Sequence, residues 1–196
     1  MYVSYTVSDT IRVPPTEIGA HLKEALFNQA KHVYEGVLDE DMGVVVVVTG
    51  IDNVGDGKIV PGDGAVYYDC DISFLAYKPK MHELVEGDIS DVTEFGAFLK
   101  TGPLEGLIHV SQIMDDYINY DAKLPGFVGK ESKKKLIVKD VVLARIVTIS
   151  LKGTISSSKI GFTMRQMGLG KIDWAKIDDK IKERKKADKP AKAKKE

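Results

Sequence analysis

A change in hydropathy pattern at Lys78-Pro79-Lys80 constrains the fold of this 196-residue chain more than any other feature. Before this point, long β-branched stretches flank one helical stretch, whereas the predicted strands after it are short and separated by turns. Proline interrupts strand pairing because it lacks a backbone N–H, and the two lysines favour solvent. We therefore predict two domains, residues 1–80 and 81–170, followed by a short helix and a basic tail over residues 171–196.

The N-terminal half predicts strand, helix, strand and strand in that order. Residues 1–12 alternate between two faces, as a half-buried strand does. Pro14-Pro15 ends that strand, and Gly36 marks the end of the helix that follows. Residues 42–51 are continuously apolar, which predicts a strand buried on both faces with residues 65–77 as its neighbour. The helix carries an apolar stripe that we interpret as core packing, formed by Ile18, Leu22, Ala25, Leu26 and Val33.

Residues 52–64 connect the two later strands and predict an exposed hairpin loop. They hold four glycines, one proline and three acids, a composition typical of turns. The acids lack the D-x-D-x-D-G spacing and the closing glutamate of a calcium loop. The apolar side chains of this loop, Val54, Ile59, Val60 and Pro61, suit insertion into a partner.

The second half predicts a small closed barrel, because five short strands follow one another without a regular helix. Gly96 fits a point where a barrel strand bends sharply. A polar interval, residues 111–139, separates the third strand from the fourth, and its segment 115–135 is predicted to be a surface excursion. The five predicted strands are residues 84–93, 97–100, 107–110, 138–151 and 160–165.

Composition and the absence of known motifs exclude several classes of protein. Hydrophobic residues make up 43% and charged residues 29%, as in a folded globular protein. No apolar run reaches the roughly 18 residues that span a bilayer, and the first residues lack the order of a signal peptide. A single cysteine, Cys70, excludes an internal disulfide and a cysteine-based zinc cage, and its place in a strand suggests a small buried hydrophobe.

Enzyme signatures are also missing from the sequence. There is no glycine-rich phosphate loop and no nucleophile motif, and His21 and His32 lie eleven residues apart, too far for a ligand pair on one helix face. We therefore expect a cytoplasmic, noncatalytic protein with no cofactor, no metal and no membrane contact.

The C-terminal end is strongly basic. Residues 180–196 hold nine basic residues and three acids, although the whole chain has a net charge of -1. Such a tail suits contact with nucleic-acid phosphates or with an acidic partner, and a solubilising frayed terminus explains it equally well. Just before it, Asp173 is predicted to cap a final helix that places Trp174, Ile177 and Ile181 on one face.

Three motifs in the second half match one family of domains in their order and spacing. They are Glu86-Gly87-Asp88, Phe95-Gly96-Ala97-Phe98 and the G-L-I-H-V-S-Q-I run from Gly106 to Ile113. Over about residues 84–165 the chain resembles the S1 RNA-binding domain, an OB-fold module. The resemblance departs at residues 150–159, a longer turn without the family's Asp-x-x-x-Arg pattern, for which Lys152 or Lys159 is the available substitute.

The S1 resemblance implies an RNA-facing surface formed by Phe95, Phe98 and His109. Rings exposed on such a barrel stack on unpaired bases with little regard to sequence. Two alternatives remain open, since one of the two phenylalanines can belong to the core and the histidine can be structural. Four basic residues are expected to meet phosphates nearby, namely Lys100, Arg145, Lys159 and Arg165.

Over residues 1–180 the chain resembles a family of stalk subunits of archaeal DNA-directed RNA polymerase, the E-prime family, whose eukaryotic counterpart is the seventh subunit of polymerase II. The match is carried by the opening M-Y-V-S-Y-T-V-S-D-T-I-R-V-P-P, by Gly62-Asp63-Gly64-Ala65 and by Met164-Arg165-Gln166. The implied fold class is α+β, with an N-terminal strand-helix-strand (truncated RNP-like) domain followed by a five-stranded OB-fold β-barrel.

This second resemblance implies a role without catalysis. It implies that the F subunit of RNA polymerase, a small helical protein, forms a heterodimer with this chain, and that the chain docks on the RNA polymerase core near the clamp. The barrel would bind single-stranded nascent RNA, and docking would support DNA opening and elongation. The residues that match the family's docking loop are Val54, Gly55, Ile59, Val60, Pro61 and Gly62. The alternatives are a stand-alone RNA-binding module of translation or RNA decay, and an enzyme that recruits RNA through its barrel.

Overall fold

The computed structural model describes residues 1–19, 21–121 and 126–174. Backbone contacts divide the chain into an N-terminal unit, Met1–Pro79 with Leu151–Ser158, and a C-terminal unit, Lys80–Ser150 with the described residues from Lys159 onward. Within the described residues, no helix combines the length and the apolar character needed to cross a membrane.

In the N-terminal unit, the described residues of Met1–Pro79 form a five-stranded antiparallel sheet and one α-helix. Its elements are β1 (Tyr2–Val13), α1 (Leu22–Tyr34), β2 (Leu38–Asp39), β3 (Gly43–Asp52), β4 (Gly57–Ile59) and β5 (Val66–Tyr77). The strand order is β1-β5-β3-β2, with the short β4 pairing with β5. The strands β1 and β5 pair over their whole length, from Tyr2 opposite Tyr77 to Val13 opposite Val66. The predicted order of strand, helix, strand and strand is therefore confirmed.

The helix packs on the sheet by a narrower stripe than the sequence predicts. Ala25, Leu26 and Ala30 are buried, in contact with the core around Ile72 and Phe74. In contrast, three members of the predicted stripe, Ile18, Leu22 and Val33, have exposed fractions of 50%, 40% and 57%. The prediction was wrong for these three because Ile18 precedes α1, and Leu22 and Val33 lie in its first and last turns, outside the buried cluster.

Strand β3 is not buried on both faces, as its apolar run predicts. Val44, Val45 and Val48 are buried, but Val46 and Val47 are exposed. Irregular pairing with β5 occurs between Val45 and Val47 and again between Val48 and Gly50, which shifts the alternation of the strand. Among the described residues, Val45 and Val48 of β3 belong to the buried cluster that α1 covers, and Val46 and Val47 lie outside it.

Helix α1 ends just before Gly36, as the sequence predicts. Glu35 is the C-cap residue, and its N–H donates to the carbonyl of Lys31 at 3.0 Å. Gly36 has a φ of +80°, a left-handed conformation that favours glycine. Its N–H donates to the carbonyl of Val45 at 2.9 Å, so the chain turns directly from the helix into contact with β3.

The C-terminal unit contains a closed five-stranded barrel, which confirms the predicted fold class. The barrel strands are β6 (Leu84–Thr93), β7 (Gly96–Thr101), β8 (Leu104–His109), β12 (Val141–Lys152) and β13 (Thr154–Thr163), and the inserted strands are β9 (Ile118–Asp121), β10 (Gly126–Gly129) and β11 (Lys135–Ile137). Around the barrel the order is β12-β13-β8-β7-β6, with β13 and β8 parallel. The long turn expected at residues 150–159 is wrong, because β12 and β13 continue to a tight turn at Gly153, where φ is +42°.

The polar interval after β8, predicted to be a surface excursion, contains a small three-stranded sheet. Its strand order is β11-β10-β9, and Phe127 and Leu136 are fully buried in it. Asp116 connects the segment before β9 to the turn between β10 and β11. Its carboxylate accepts hydrogen bonds from the backbone N–H groups of Glu131 and Ser132 at 3.0 and 2.9 Å. Polar and charged composition gave no signal of this sheet, because Phe127 and Leu136 are the only large apolar side chains that are buried among its described residues.

The predicted final helix begins within the described residues. Residues 172–174 are helical, so Asp173 lies inside the first turn rather than at its cap. Trp174 is buried, with an exposed fraction of 3%, and the Lys134 ammonium lies 5.3 Å from its ring centroid. Ile177, Ile181 and the basic tail lie outside the described residues.

Candidate nucleic-acid interface

Phe95, Phe98 and His109 lie together at one corner of the barrel, which we call the aromatic corner. Phe95 immediately precedes β7 and has an exposed fraction of 54%, whereas Phe98 is half-buried within that strand. The two rings meet edge to face, with centroids 6.1 Å apart and planes at 88°. His109 ends the adjacent strand β8 and lies opposite Gly96 in the antiparallel register. Neither phenylalanine belongs to the buried core, so both rings offer surface to a ligand.

Strand pairing explains why these rings converge. The backbone N–H of Val110 donates to the carbonyl of Phe95 at 2.9 Å, which joins the end of β8 to the start of β7. A Cβ on Gly96 would collide with the backbone carbonyl of Ile108, so only glycine allows this close approach of the strands. Position 96, between the two phenylalanines, is therefore glycine for a steric reason. The close strand pairing that it allows places His109 on the strand next to the two rings.

His109 has both a structural contact and a free edge. Its Nδ1 lies 2.9 Å from the Ser111 hydroxyl and accepts the Ser111 backbone N–H at 3.3 Å. Because Nδ1 accepts, the neutral ring carries its proton on Nε2, and the side chain is exposed. The two roles predicted for His109 are thus compatible, since one nitrogen caps the turn after β8 and the other can donate to a phosphate or a sugar hydroxyl.

The basic residues predicted to meet phosphates do not form one patch. Lys100 is exposed on β7. In the strand register it lies opposite Asp88 on one side and Glu105 on the other, so two carboxylates partly offset its positive charge. Lys159 is exposed on β13, two residues before Gly161, which pairs with Leu107 of β8. Neither of these exposed lysines lines the cleft that the two arginines share.

Arg145 and Arg165 line a common cleft of about 710 Å³, which we call the arginine cleft. Arg165 is exposed, and its Nε and Nη2 donate to one carboxylate oxygen of Asp115 at 3.0 and 2.7 Å. Arg145 is half-buried, and its Nε is buried without a hydrogen-bond partner among the described residues. The cleft is also lined by His82 and Gln112.

A smaller cleft of about 390 Å³ lies next to the arginine cleft. Ser111, which bonds to His109, lines this smaller cleft together with Asp115 and Arg165. Because Asp115 and Arg165 line both clefts, the two adjoin each other, and the smaller one also carries the carboxylates of Asp116 and Glu131. Tyr117, with an exposed fraction of 76%, adds an unpredicted aromatic ring to the wall of the smaller cleft.

Sequence reasoning missed His82, Asp115 and Tyr117. None of them lies in the three S1-like motifs, and His82 and Asp115 meet in the arginine cleft although they are far apart in the sequence. Gln112 lies within the G-L-I-H-V-S-Q-I run, directly before Ile113, which is buried in the fold. This position in an S1-like motif was the sequence signal that could have identified Gln112 as a site residue. In the fold its side chain accepts a hydrogen bond from the Thr163 hydroxyl at 2.8 Å, which fixes the wall of the arginine cleft.

The hairpin loop of the N-terminal unit projects its apolar side chains into solvent. Ile59 and Val60 have exposed fractions of 74% and 47%, and Gly55, Pro61 and Gly62 are also exposed. Val54 is placed differently from the other loop residues, because it is half-buried and packs against the core of the unit. The loop therefore has an anchored base and an apolar tip.

Asp63 anchors the other end of this loop. It accepts hydrogen bonds from the Arg12 guanidinium, from the Tyr67 hydroxyl at 2.7 Å and from the backbone N–H of Ala65 at 3.1 Å. The hydrogen bonds from Arg12 and Tyr67 hold the pKa of the Asp63 carboxyl well below its usual range. Cys70 lies buried in β5 as predicted, and burial raises the pKa of its thiol.

Two known domain families match the two halves of the chain. Residues 8–64 match the SHS2 domain found in the N terminus of Rpb7p/Rpc25p/MJ0397, and residues 78–159 match the S1 RNA binding domain. Over 175 residues the chain is 35% identical to DNA-directed RNA polymerase subunit Rpo7 of Saccharolobus shibatae, covering 89% of this chain and 97% of that protein. It is 24% identical to DNA-directed RNA polymerase II subunit RPB7 of Glycine max, covering 79% of this chain and 88% of that protein.

Among solved structures, the apo form of RNase R from Mycoplasma genitalium is similar over 41% of this chain and 13% of that chain. The identity is 20% and the TM-score 0.35, a likeness too slight to support an argument about function.

Proposed function

Because the chain belongs to the family of DNA-directed RNA polymerase subunits that includes archaeal Rpo7 and eukaryotic RPB7, we propose that it acts as a noncatalytic stalk subunit of an archaeal RNA polymerase. The observation that carries this proposal is the 35% identity that extends over 89% of the chain. In this role the chain docks on the core enzyme near the clamp, and its barrel binds single-stranded RNA that leaves the enzyme. Its expected heterodimer partner is the small helical F subunit of the polymerase.

The exposed tip of the hairpin loop supports docking through the N-terminal unit. Ile59 and Val60 are apolar side chains that solvent surrounds in the isolated chain, and burying them in a partner is favourable. The base of the loop is fixed by Asp63, so the tip is presented in a defined conformation and little ordering entropy is lost on binding. Such an anchored apolar tip suits a long-lived interface better than a transient one.

The exposed valines of β3 support pairing with the F subunit. Val46 and Val47 have exposed fractions of 38% and 37%, so a partner that covered them would bury apolar surface, which is favourable.

The aromatic corner supports contact with single-stranded RNA. Stacking of a base on an exposed aromatic ring contributes about 1–3 kcal/mol and tolerates any base. A transcript changes sequence with every gene, so a stacking site without base-edge readout fits this ligand. The exposed His109 Nε2 adds a donor without adding base specificity.

Docking can influence DNA opening only by binding two clamp states with different affinity. A subunit that binds both states equally shifts nothing, however tightly it binds. We infer that the apolar loop tip makes better contact with one clamp state, which favours DNA opening and supports elongation. The effect on transcription is then limited by that difference in affinity.

Affinity purification of the tagged protein, with nuclease treatment before elution, tests the assembly. Mass spectrometry should find a small helical partner together with the large polymerase subunits. Recovery of exonuclease or ribosomal components, or of no protein once RNA is removed, would contradict the proposal and favour a stand-alone RNA-binding module.

Two matched variants separate docking from RNA contact. Ile59→Asp should weaken binding to the core and leave RNA affinity unchanged, whereas Phe98→Ala should weaken RNA binding about fivefold or more and leave assembly unchanged. On promoter templates, Ile59→Asp should lose activity on closed DNA but not on pre-melted DNA. The docking role is contradicted if Ile59→Asp assembles and transcribes closed DNA normally.

A further inference from the structure

The arginine cleft contains a buried donor that no group among the described residues satisfies. The Arg145 Nε is buried, yet it has no hydrogen-bond partner in the described part of the chain. Burying a charged donor without a partner costs free energy, and native proteins seldom leave such a group unpaired unless a ligand or water completes it. The guanidinium carries five N–H donors, so the remaining ones are also available to a group that enters the cleft.

The backbone next to Arg145 is arranged to present a second side chain to the same cleft. His82 has a φ of +65°, a left-handed conformation that costs free energy in a residue other than glycine. Two hydrogen bonds with β12 hold it there, from His82 N–H to the Ile146 carbonyl at 2.9 Å and from Ile146 N–H to the Glu83 carbonyl at 3.0 Å. Strain of this kind, next to a cleft that the same residue lines, is typical of a binding site.

The charges in the cleft favour an anion. Arg145 and Arg165 contribute two positive charges, and Asp115 contributes one negative charge from the exposed rim. Asp115 occupies only Nε and Nη2 of Arg165, which leaves further donors of that guanidinium for a ligand. Two guanidinium forks at one cleft match the geometry of phosphate oxygens better than two ammonium groups would.

We propose that the arginine cleft binds a phosphate group of RNA. The proposal rests on the proposed function for RNA contact and adds to it a second, chemically distinct site. The aromatic corner takes bases, whereas the arginine cleft takes a phosphate of the same strand, either within the backbone or at its 5′ end.

The salt dependence of RNA binding distinguishes the two sites. The full-length protein is titrated into fluorescent single-stranded RNA dodecamers, with a 5′ hydroxyl or a 5′ monophosphate, at several salt concentrations. Arg145→Gln should weaken binding about tenfold at low salt and reduce the slope of log K against log salt by about 0.7, the value for one single-strand phosphate contact. Phe98→Ala should weaken binding at every salt concentration without changing the slope.

A control variant removes the same charge elsewhere. Lys23→Gln removes one positive charge from the exposed surface of α1, and it should leave both affinity and slope close to those of the unmodified protein. Equal loss for Arg145→Gln on both RNAs identifies a backbone phosphate, and loss only on the 5′-monophosphate RNA identifies the end of the strand. If Arg145→Gln and Lys23→Gln bind alike on both RNAs, the arginine cleft does not hold a phosphate.

A variant that is expected to strengthen RNA binding, rather than weaken it, keeps the test independent of folding defects. Asp115→Asn removes the carboxylate from the rim of the cleft, where its side chain is 76% exposed, and frees the Arg165 guanidinium. It should tighten RNA binding by about threefold at low salt, whereas Asp56→Asn in the exposed hairpin loop should not. Unchanged or weaker binding by Asp115→Asn would overturn the proposal, and a loss confined to Phe98→Ala would leave only the stacking site.

Discussion

The Arg12 guanidinium binds the Asp63 carboxylate through two hydrogen bonds of 2.9 Å, one from Nε and one from Nη2. This pair connects the end of β1 to the end of the hairpin loop, residues that are 51 positions apart in the chain. Both side chains are partly exposed, so the pair contributes little to global stability. The pair instead positions the hairpin loop, because it fixes the base of the loop whose apolar tip is proposed to dock.

The first prediction concerns the titration of Asp63. Its folded-state pKa lies below the ordinary value of 3.8, so the pair is complete above that value and is lost only as the pH falls below it. Carbon-detected NMR of the Asp63 carboxyl should therefore give a midpoint below 3.8, and Arg12→Gln should move it back towards 3.8. Lys58→Gln, which removes the separate ion pair with Asp69, should leave the Asp63 midpoint unchanged. A midpoint at the ordinary value in the unmodified protein would show that the pair does not form in solution.

The second prediction concerns the glycine at the aromatic corner. An alanine Cβ at Gly96 would collide with the backbone carbonyl of Ile108, whereas nothing lies within 4 Å of a Cβ at Gly50. Gly96→Ala should lower the free energy of unfolding by about 1–3 kcal/mol, the usual cost of forcing extra volume into a packed site. Gly50→Ala should be close to neutral. Urea denaturation of both variants makes the comparison, and equal midpoints would mean that β7 and β8 separate without cost.

Strand and helix positions followed from the sequence where local pattern decides them. Alternation predicted β1, and glycine at position 36 predicted the end of α1, because both are properties of a few consecutive residues. Burial on both faces of β3 was wrong, since a run of valines specifies a strand but not how many layers cover it. The inserted sheet escaped prediction because its order depends on Asp116, a polar residue whose partners lie about fifteen positions later.

The residues of the candidate site were likewise predictable only where a few neighbouring elements bring them together. The S1-like motifs placed Phe95, Phe98 and His109 together because those residues lie on adjacent strands joined by short turns. The arginine cleft joins residues from β12, from the segment after β13 and from the segment before β6. Their meeting depends on how the barrel closes, which no single stretch of sequence encodes.

The third prediction tests whether Asp116 organises the inserted sheet. The carboxylate accepts hydrogen bonds from the backbone of Tyr117, Glu131 and Ser132 and from the Ser132 hydroxyl. Partial burial raises the pKa of Asp116, but the hydrogen bonds from Ser132, Tyr117 and Glu131 outweigh it and lower the pKa overall. Asp116→Ala should therefore destabilise this sheet by roughly 1–3 kcal/mol.

Hydrogen exchange of the β10 and β11 amides measures that effect directly. Exchange should accelerate there in Asp116→Ala while β1 and β5 of the other unit keep their protection. Asp115→Ala is the matched control, because the neighbouring carboxylate makes one exposed ion pair with Arg165 and bonds to no backbone group of the described insert. If both variants exchange alike, Asp116 is dispensable for the insert.

The last prediction uses the only cysteine as a reporter of the N-terminal sheet. Cys70 is 3% exposed in β5, its thiol lies 3.8 Å from the Asp9 carbonyl, and burial together with the Asp71, Asp9 and Asp69 carboxylates raises its pKa. A buried, protonated thiol reacts slowly, so labelling with a chromogenic disulfide at about pH 8 should require unfolding of the sheet. In a Cys70→Ala background, Ser4→Cys places an exposed thiol on β1 and should react roughly a hundredfold faster or more, as expected for a solvated thiolate. Rates of similar size would mean that the pairing of β1 with β5 opens readily, and the sheet could not then hold the loop tip in a fixed conformation for docking.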